Sequence, residues 1–318
     1  MKMRLTVPLV VVMLAAGLTA SAQGTEQTER FSQTYKIARD GRFSIENIAG
    51  DITIGAGTGD AAVVEAVKRT RGDRRELARV VIAVEAGSDR VDVRTRHTGR
   101  NDHVSVDYTI LLPPTVRVEA TSISGSLKIS GVQAAVRAGT MSGNVTIAAA
   151  GIESARSISG NVDLVDVSTD GTLAAMSVSG RVTGKNLKAR SIEVSTVSGE
   201  VALADVTVER LGVRSTSGNL GYSGAIPPGS RFGFNAHSGA IRLALPDTQG
   251  FRLTADTFSG VIRSALPLTL DRGYRFSGDL ELRRRPGSPQ RSIDGRSGDG
   301  GATLILQTFS GDIVISKR

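Results

Sequence analysis

The sequence predicts an all-β protein, a β-solenoid of stacked coils of about 17–21 residues preceded by a β-rich N-terminal cap. Three observations predict it. A motif of Ser/Thr, apolar, Ser, Gly, x, apolar, x, apolar recurs through the chain, as in SISGSLKI from Ser122, TMSGNVTI from Thr140, SISGNVDL from Ser157, TVSGEVAL from Thr196 and TFSGDIVI from Thr308. Apolar and polar residues alternate after each glycine, the period of a half-buried strand. The composition is rich in tight-turn residues and poor in large rings, with 37 Gly, 4% aromatics and no Trp, so Val, Ile, Leu and Ala must fill the core.

The motif glycines are Gly125, Gly143, Gly160, Gly180, Gly199, Gly218, Gly239, Gly260 and Gly311, evenly spaced except for a wide gap before the last. An earlier echo, NIAGDITI from Asn47, uses the same turn. Two residues after each glycine stands an aliphatic, from Leu127 and Val145 to Ile262 and Ile313. The residue two before is usually apolar too (Ile123, Met141, Ile158, Val178, Val197, Phe258, Phe309), and equal parity predicts that this column and the glycine face inward. A second strand precedes the motif, with pairs such as Ile192/Val194 and Leu211/Val213 on the opposite parity, so a bend is expected just ahead of the Ser/Thr column. Stacking like on like predicts Ser/Thr ladders with hydrogen bonds between coils.

Three domains are expected. Residues 1–22 read as a signal peptide, with Lys2 and Arg4, an apolar run from Val7 to Leu18 and a small-x-small cleavage site at Ala20-Ser21-Ala22. Residues 23–118 form the cap, with strands from Arg42, Asp51, Ala62, Val80, Arg90, Val104 and Val116 and one helical turn from Asp73 to Arg79. Residues 119–318 form the repeat array, interrupted by a degenerate coil around Phe276–Leu280 and an irregular Arg/Gly/Pro-rich insertion at about 283–301. The expected location is exported, in the periplasm or on the cell surface, with the periplasm favoured.

The functional reading is a non-catalytic binding or scaffold protein, adhesin-like, acting through a solenoid face. No cysteine is present, which removes disulfides, thiolate metal sites and Cys nucleophiles. Loss of Lys2 and Arg4 takes the formal charge from +8 to +6, a balance that suits acidic glycans or lipid headgroups more than nucleic acid, for which stacking motifs are lacking. No cofactor is expected, and no membrane span in the mature chain. Arg283, Arg284 and Arg285 are the candidate interaction residues, a cationic knot on an insertion. His97 and His103 flank a turn with Asp102, a weak metal pattern, and His237 stands in the apolar column. The alternative is a polysaccharide hydrolase or lyase acting on acidic glycans, with Asp163, Asp166, Asp170, Asp205 and Glu209 as its acids, although they keep no fixed column. The Ser-Gly pairs lack the nucleophile-elbow context. A third reading is self-association, with the C-terminal strand adding edge to edge to an envelope partner or a second copy.

The leader, the β-rich start and the Ser-Gly-x-aliphatic-x-aliphatic repeats together resemble the bacterial domain-of-unknown-function family of β-strand repeat proteins that carry the name “putative adhesin”. The resemblance spans roughly residues 40–318. It implies an envelope-associated β array without an assigned enzyme, cofactor or site. The chain departs from surface adhesins in ending at Ile313–Arg318 with no barrel, anchor helix or sorting tail.

Overall fold

The computed structural model describes residues 26–99, 103–248, 250–270, 275–276, 280–282 and 291–318. The expected leader, Asp102, Gly278 and Arg283–Arg285 lie outside the described residues. The described chain is all-β, a solenoid-like sheet with one short 3-10 helix, Arg74–Arg79, whose Asp73 cap accepts from the Arg75 N–H at 2.9 Å.

Each motif builds one rung of two strands meeting at the Ser–Gly corner, and successive rungs pair in parallel. Val136–Ser142 pairs with Arg117–Ser124 on one side and Ser154–Ser159 on the other, and Val145–Ala148 does the same beyond the corner with Leu127–Ser130 and Val162–Ser168. Register is residue for residue, so Val145 sits between Leu127 and Val162. The column two after glycine is buried throughout, from Ile52 to Ile313. The two longest strands, Val182–Thr196 and Val201–Ser217, run through a second corner, where Asn186 and Asp205 take left-handed backbone. Asp and Asn tolerate that region because their short polar side chains bond locally.

The spatial order of rungs differs from the chain order at both ends. The rung of Gly311 (Ala302–Ser310 and Ile313–Lys317) lies between the rungs of Gly239 and Gly260. The rung of Gly50 (Arg42–Ala49 and Ile52–Ala56) likewise lies between Arg90–His97 with Ser105–Leu112 and the rung of Gly125. The region expected to be a separate cap therefore contributes rungs to the stack. The wide gap in glycine spacing is the excursion that carries the chain out to the Gly260 rung and back. Part of the segment expected to be irregular is a strand, Arg291–Ser297, antiparallel to Phe251–Thr257. Antiparallel strands close the other end too: Val80–Ala86 on Arg90–His97, and Ala61–Thr70 with Gln27–Lys36. The C-terminal strand is not an outer edge, because Ile313–Ile315 pairs with both Ile241–Leu243 and Ile262–Ser264, and this corrects the edge-addition reading.

The corner itself is set by glycine. A Cβ built on Gly160 would lie 1.9 Å from the Gly143 carbonyl oxygen, and one on Gly199 would lie 2.0 Å from that of Gly180. The same contact links ten glycines in the order 50, 125, 143, 160, 180, 199, 218, 239, 311 and 260. The Ser/Thr column is buried wherever it occurs, and at six rungs its hydroxyl donates to this carbonyl, as with Ser157 Oγ to Gly143 at 2.8 Å, Ser177 Oγ to Gly160 at 2.8 Å and Thr308 Oγ1 to Gly239 at 3.1 Å; Ser122 and Ser215 make no such bond, and Ala236 takes the position in the Gly239 rung. The hydroxyls thus bond the backbone of the neighbouring rung rather than one another. Just past the glycine, a polar side chain caps the next rung's N–H, as when Asn144 Oδ1 accepts from Asn161 and Asn161 Oδ1 from Arg181.

At the N-terminal end Asn47 replaces the hydroxyl. Its Nδ2 donates to the carbonyls of Gly50 and Val106, and its Oδ1 accepts from Thr95. Thr95 has one proton and gives it to Asn47, so the Tyr108 hydroxyl donates to Thr95 at 2.7 Å.

Two outcomes follow. Gly160→Ala should lower unfolding stability by at least about 3 kcal/mol, while Gly212→Ala, where nothing lies within 4 Å of the new carbon, should stay within about 0.5 kcal/mol; urea denaturation of both variants checks this. Burial pushes Tyr108 and Tyr222 up to about 12. The folded state therefore holds these protons more tightly than the unfolded chain, and the associated stability is intact below about pH 10 and lost as pH climbs through 12. Measured unfolding midpoints should fall across that window in the wild type and fall less in the Tyr108→Phe/Tyr222→Phe variant.

Candidate functional site

The bend between the two strands falls at Ser–Gly, after the Ser/Thr column rather than just ahead of it, and this moves the apolar column to the outside. Inward positions on the first strand run through the Ser/Thr residue, so the next residue points outward. Ile123 is 51% exposed, Met141 53%, Ile158 46% and Phe309 49%. The expectation that this column faces the core is corrected. Equal parity with the following strand does not survive the corner, because the residue just before glycine is exposed as well, at Ser124, Ser142, Ser159 and onward.

The result is an apolar ridge along the corner: Ile123, Met141, Ile158, Val178 and Val197, then Thr216, His237, Phe309 and Phe258 in spatial order. At about 4.8 Å per rung it runs for roughly 40 Å. Its far end is aromatic. His237 stacks on Phe309 at 5.2 Å and Phe309 on Phe258 at 4.8 Å, with ring planes within 8°. Phe309 has a ring against each face, so it presents its edge outward. His237 is thus an exposed ridge residue rather than a core substitution. Beside these rings lies an open cleft of about 350 Å³ bordered by Asn235, Asp256 and Gln307.

The acids of the hydrolase reading are held by the second corner. Asp166 (φ 53°) and Asp205 (φ 52°) occupy the same corner two rungs apart, with Asn186 (φ 54°) between. Asn186 Nδ2 donates to Asp166 at 2.7 Å. Arg318 holds both oxygens of Asp205, at 2.5 and 3.2 Å, and keeps that carboxyl below its ordinary range. Asp163 accepts from Thr183 Oγ1 at 2.5 Å on the outer face. Asp170 joins Asp166 on the rim of an open groove of about 920 Å³, and Glu209 is exposed on the far side of the rung. These contacts position corners; they do not aim two carboxyls at a common point. His97 ends its strand opposite Val80 with Nε2 buried and unbonded, and His103 lies on the rim of a separate cleft beside Arg69. Among the described residues no group of three or more His, Cys, Asp or Glu converges on a metal-sized site. No helix among them is long and apolar enough to cross a membrane.

The expected glycines are brought together as one ladder. The ridge was missed as a surface by sequence reasoning. Its signal was the pair of consecutive positions before glycine, apolar then Ser, that both lie outside the buried alternation.

Residues 34–316 match the Toastrack DUF4097 family. No curated protein matched the chain. Among solved structures, a “putative adhesin” from Parabacteroides merdae ATCC 43184 is similar at 12% identity and TM-score 0.41, over 69% of this chain and 90% of that one. A “putative lipid binding protein” from Parabacteroides distasonis ATCC 8503 aligns at 12% and 0.40, over 68% and 91%. A “putative adhesin” from Bacteroides fragilis NCTC 9343 aligns at 13% and 0.39, over 91% and 97%.

Because ridge side chains are half-exposed, Met141→Ser or Ile158→Ser should change stability by less than about 1 kcal/mol. Ile147→Ser, fully buried just beyond the same corner, should cost about 3 kcal/mol or more. Thermal and urea unfolding of the three variants gives the comparison.

Proposed function

We propose that this chain, which belongs to the Toastrack DUF4097 family, is an exported, non-catalytic envelope protein that binds a protein partner along its apolar corner ridge. The observation that carries the reading is the column from Ile123 to Phe258. In seven of its nine rungs the residue is apolar and at least partly open to solvent, while the aliphatic two residues after each glycine is buried. A contiguous exposed apolar strip of this kind marks an interaction surface. Covering it recovers roughly 25 cal/mol per Å² of apolar area removed from water. The serines beside it supply a polar rim that hydrogen-bonds without adding charge, the pattern of an apolar centre with a wettable border.

Export rests on the leader read at residues 1–22, and the periplasm is the favoured compartment. The rigidity of the stack suits a scaffold, since every ridge position is held by strand pairing on both sides.

Photo-crosslinking in intact cells tests this. A crosslinking residue at Met141, Ile158 or Phe309 should give a discrete protein adduct, and one at Thr146 on the outer face of the following strand should not. Serine at the remaining ridge positions should abolish the adduct. Absence of adducts from all three ridge sites, with the protein folded and exported, would remove the reading.

A further inference from the structure

Arginines occur at the outer foot of the first strand at both ends of the stack, and the two ends treat them oppositely. At one end all but the exposed Arg117 are neutralised: Arg90 pairs with Asp92, Arg42 with Glu119 and Arg137 with Glu153. Toward the other end, Arg210, Arg231, Arg252 and Arg296 fall in one column, in register through Thr303. All four are exposed, as is Arg214, four residues along from Arg210. Among the described residues none of these five makes an ion pair or a side-chain hydrogen bond.

This arrangement works against the free protein. Arg210 and Arg231 are direct neighbours, as are Arg252 and Arg296, and like charges directly opposite on adjacent strands repel. The acids on this face stand at its two ends: Glu193 beside Gly212, and Asp256 and Asp294 on the terminal strands, where Asp294 accepts from Thr254 Oγ1 at 2.9 Å. Of the three rungs between, two carry arginine and the third carries Thr303 in the column, and none places an acid at these outward positions, Glu209 preceding the column at the strand's foot.

The same rungs form a trough. Its floor is Gly212, with nothing within 4 Å of where a Cβ would stand, and Gly233, then Ile305 and Thr254. One wall is the arginine column. The other is Arg214 with the amides of Asn235 and Gln307. The walls are four residues apart, about 13 Å, and the trough runs along the stack axis.

We propose that this trough binds one strand of a carboxylate-bearing polysaccharide laid along the stack axis. A guanidinium donates two parallel hydrogen bonds to a carboxylate. A polymer that repeats its carboxylates meets a wall that repeats its arginines, so weak exposed contacts add as a multivalent set. The amide wall supplies donors and acceptors for hydroxyl groups, and the floor is bare at Gly212 and Gly233, which leaves room for the chain there, before it rises at Ile305 and Thr254. A bilayer fits less well. The arginine column is about 20 Å along the strand from the apolar ridge, deeper than the headgroup layer, so insertion of the ridge leaves the arginines beyond it.

The test is affinity electrophoresis of the full mature chain through gels containing polygalacturonate, with neutral dextran as the control. The wild type should be retarded by polygalacturonate only, and retardation should weaken as salt rises. The Arg210→Gln/Arg231→Gln/Arg252→Gln variant, with an unfolding midpoint no lower than that of the wild type, should bind at least about ten-fold more weakly. The Ile123→Ser/Met141→Ser/Ile158→Ser variant should bind as the wild type does, which separates this site from the ridge. No retardation at low salt, or equal retardation of the arginine variant, overturns the proposal. So does capture by phosphatidylglycerol vesicles without retardation by polygalacturonate, which would assign the column to an anionic lipid surface.

Discussion

At each corner of the stack, the carbonyl oxygen of one glycine occupies the volume that a side chain on the next glycine would need. This contact sets how closely the rungs approach and fixes their register, since a slip of one residue would drive a Cβ into that oxygen. It also points the carbonyl at the neighbouring rung, where at six of the corners a buried Ser or Thr donates to it. A buried carbonyl without a donor would carry the desolvation penalty of a lost hydrogen bond. The recurring Ser/Thr three residues before glycine is therefore a consequence of the corner, as is the Asn or Asp just after it that caps the next N–H.

The ridge follows from the same geometry. A tight corner exposes two consecutive residues, and the two here are an aliphatic or aromatic and a serine. The serine is small enough to leave its neighbour standing proud. Nothing in the packing requires Ile123, Met141 or Phe309 to be apolar, because each has close to half its surface in water. A position that folding leaves free, yet keeps apolar rung after rung, is where a binding role has most to act on.

Much of the architecture was legible in the sequence. The period, the buried column from Leu127 to Ile313, the inward odd positions such as Val194 and Val213, and the need for a bend all follow from alternation, which reports burial directly. Alternation alone does not locate the bend. Moving it from ahead of Ser122 to the Ser–Gly pair exchanges the core and surface assignments of Ile123, and both versions read as apolar at every second residue. The order of rungs was illegible for a different reason. Sequence spacing measures chain length between motifs, and the excursion between Gly260 and Gly311 conceals their adjacency in space. A trace of it exists: Thr257-Phe258-Ser259-Gly260 and Thr308-Phe309-Ser310-Gly311 are identical tetrapeptides, and their rings stack. The arginine trough was only partly legible: Arg210, Arg231 and Arg252 keep the spacing of the repeat, but Thr303 stands between the last two in space, and Arg296 is brought into line only by the register.

The interleaving of rungs at both ends bears on how the molecule comes apart. A simple linear stack can fray from its ends one repeat at a time, because each repeat touches only its sequence neighbours. Here the rung of Gly311 is clasped between two rungs built by earlier residues, and the rung of Gly50 between two built by later ones. Peeling off an outermost rung leaves the chain still threaded through the one beneath it. Each end behaves as a buckle that must open as a block, so resistance to pulling and to proteolysis should be set by these two closures rather than by the regular repeats between them.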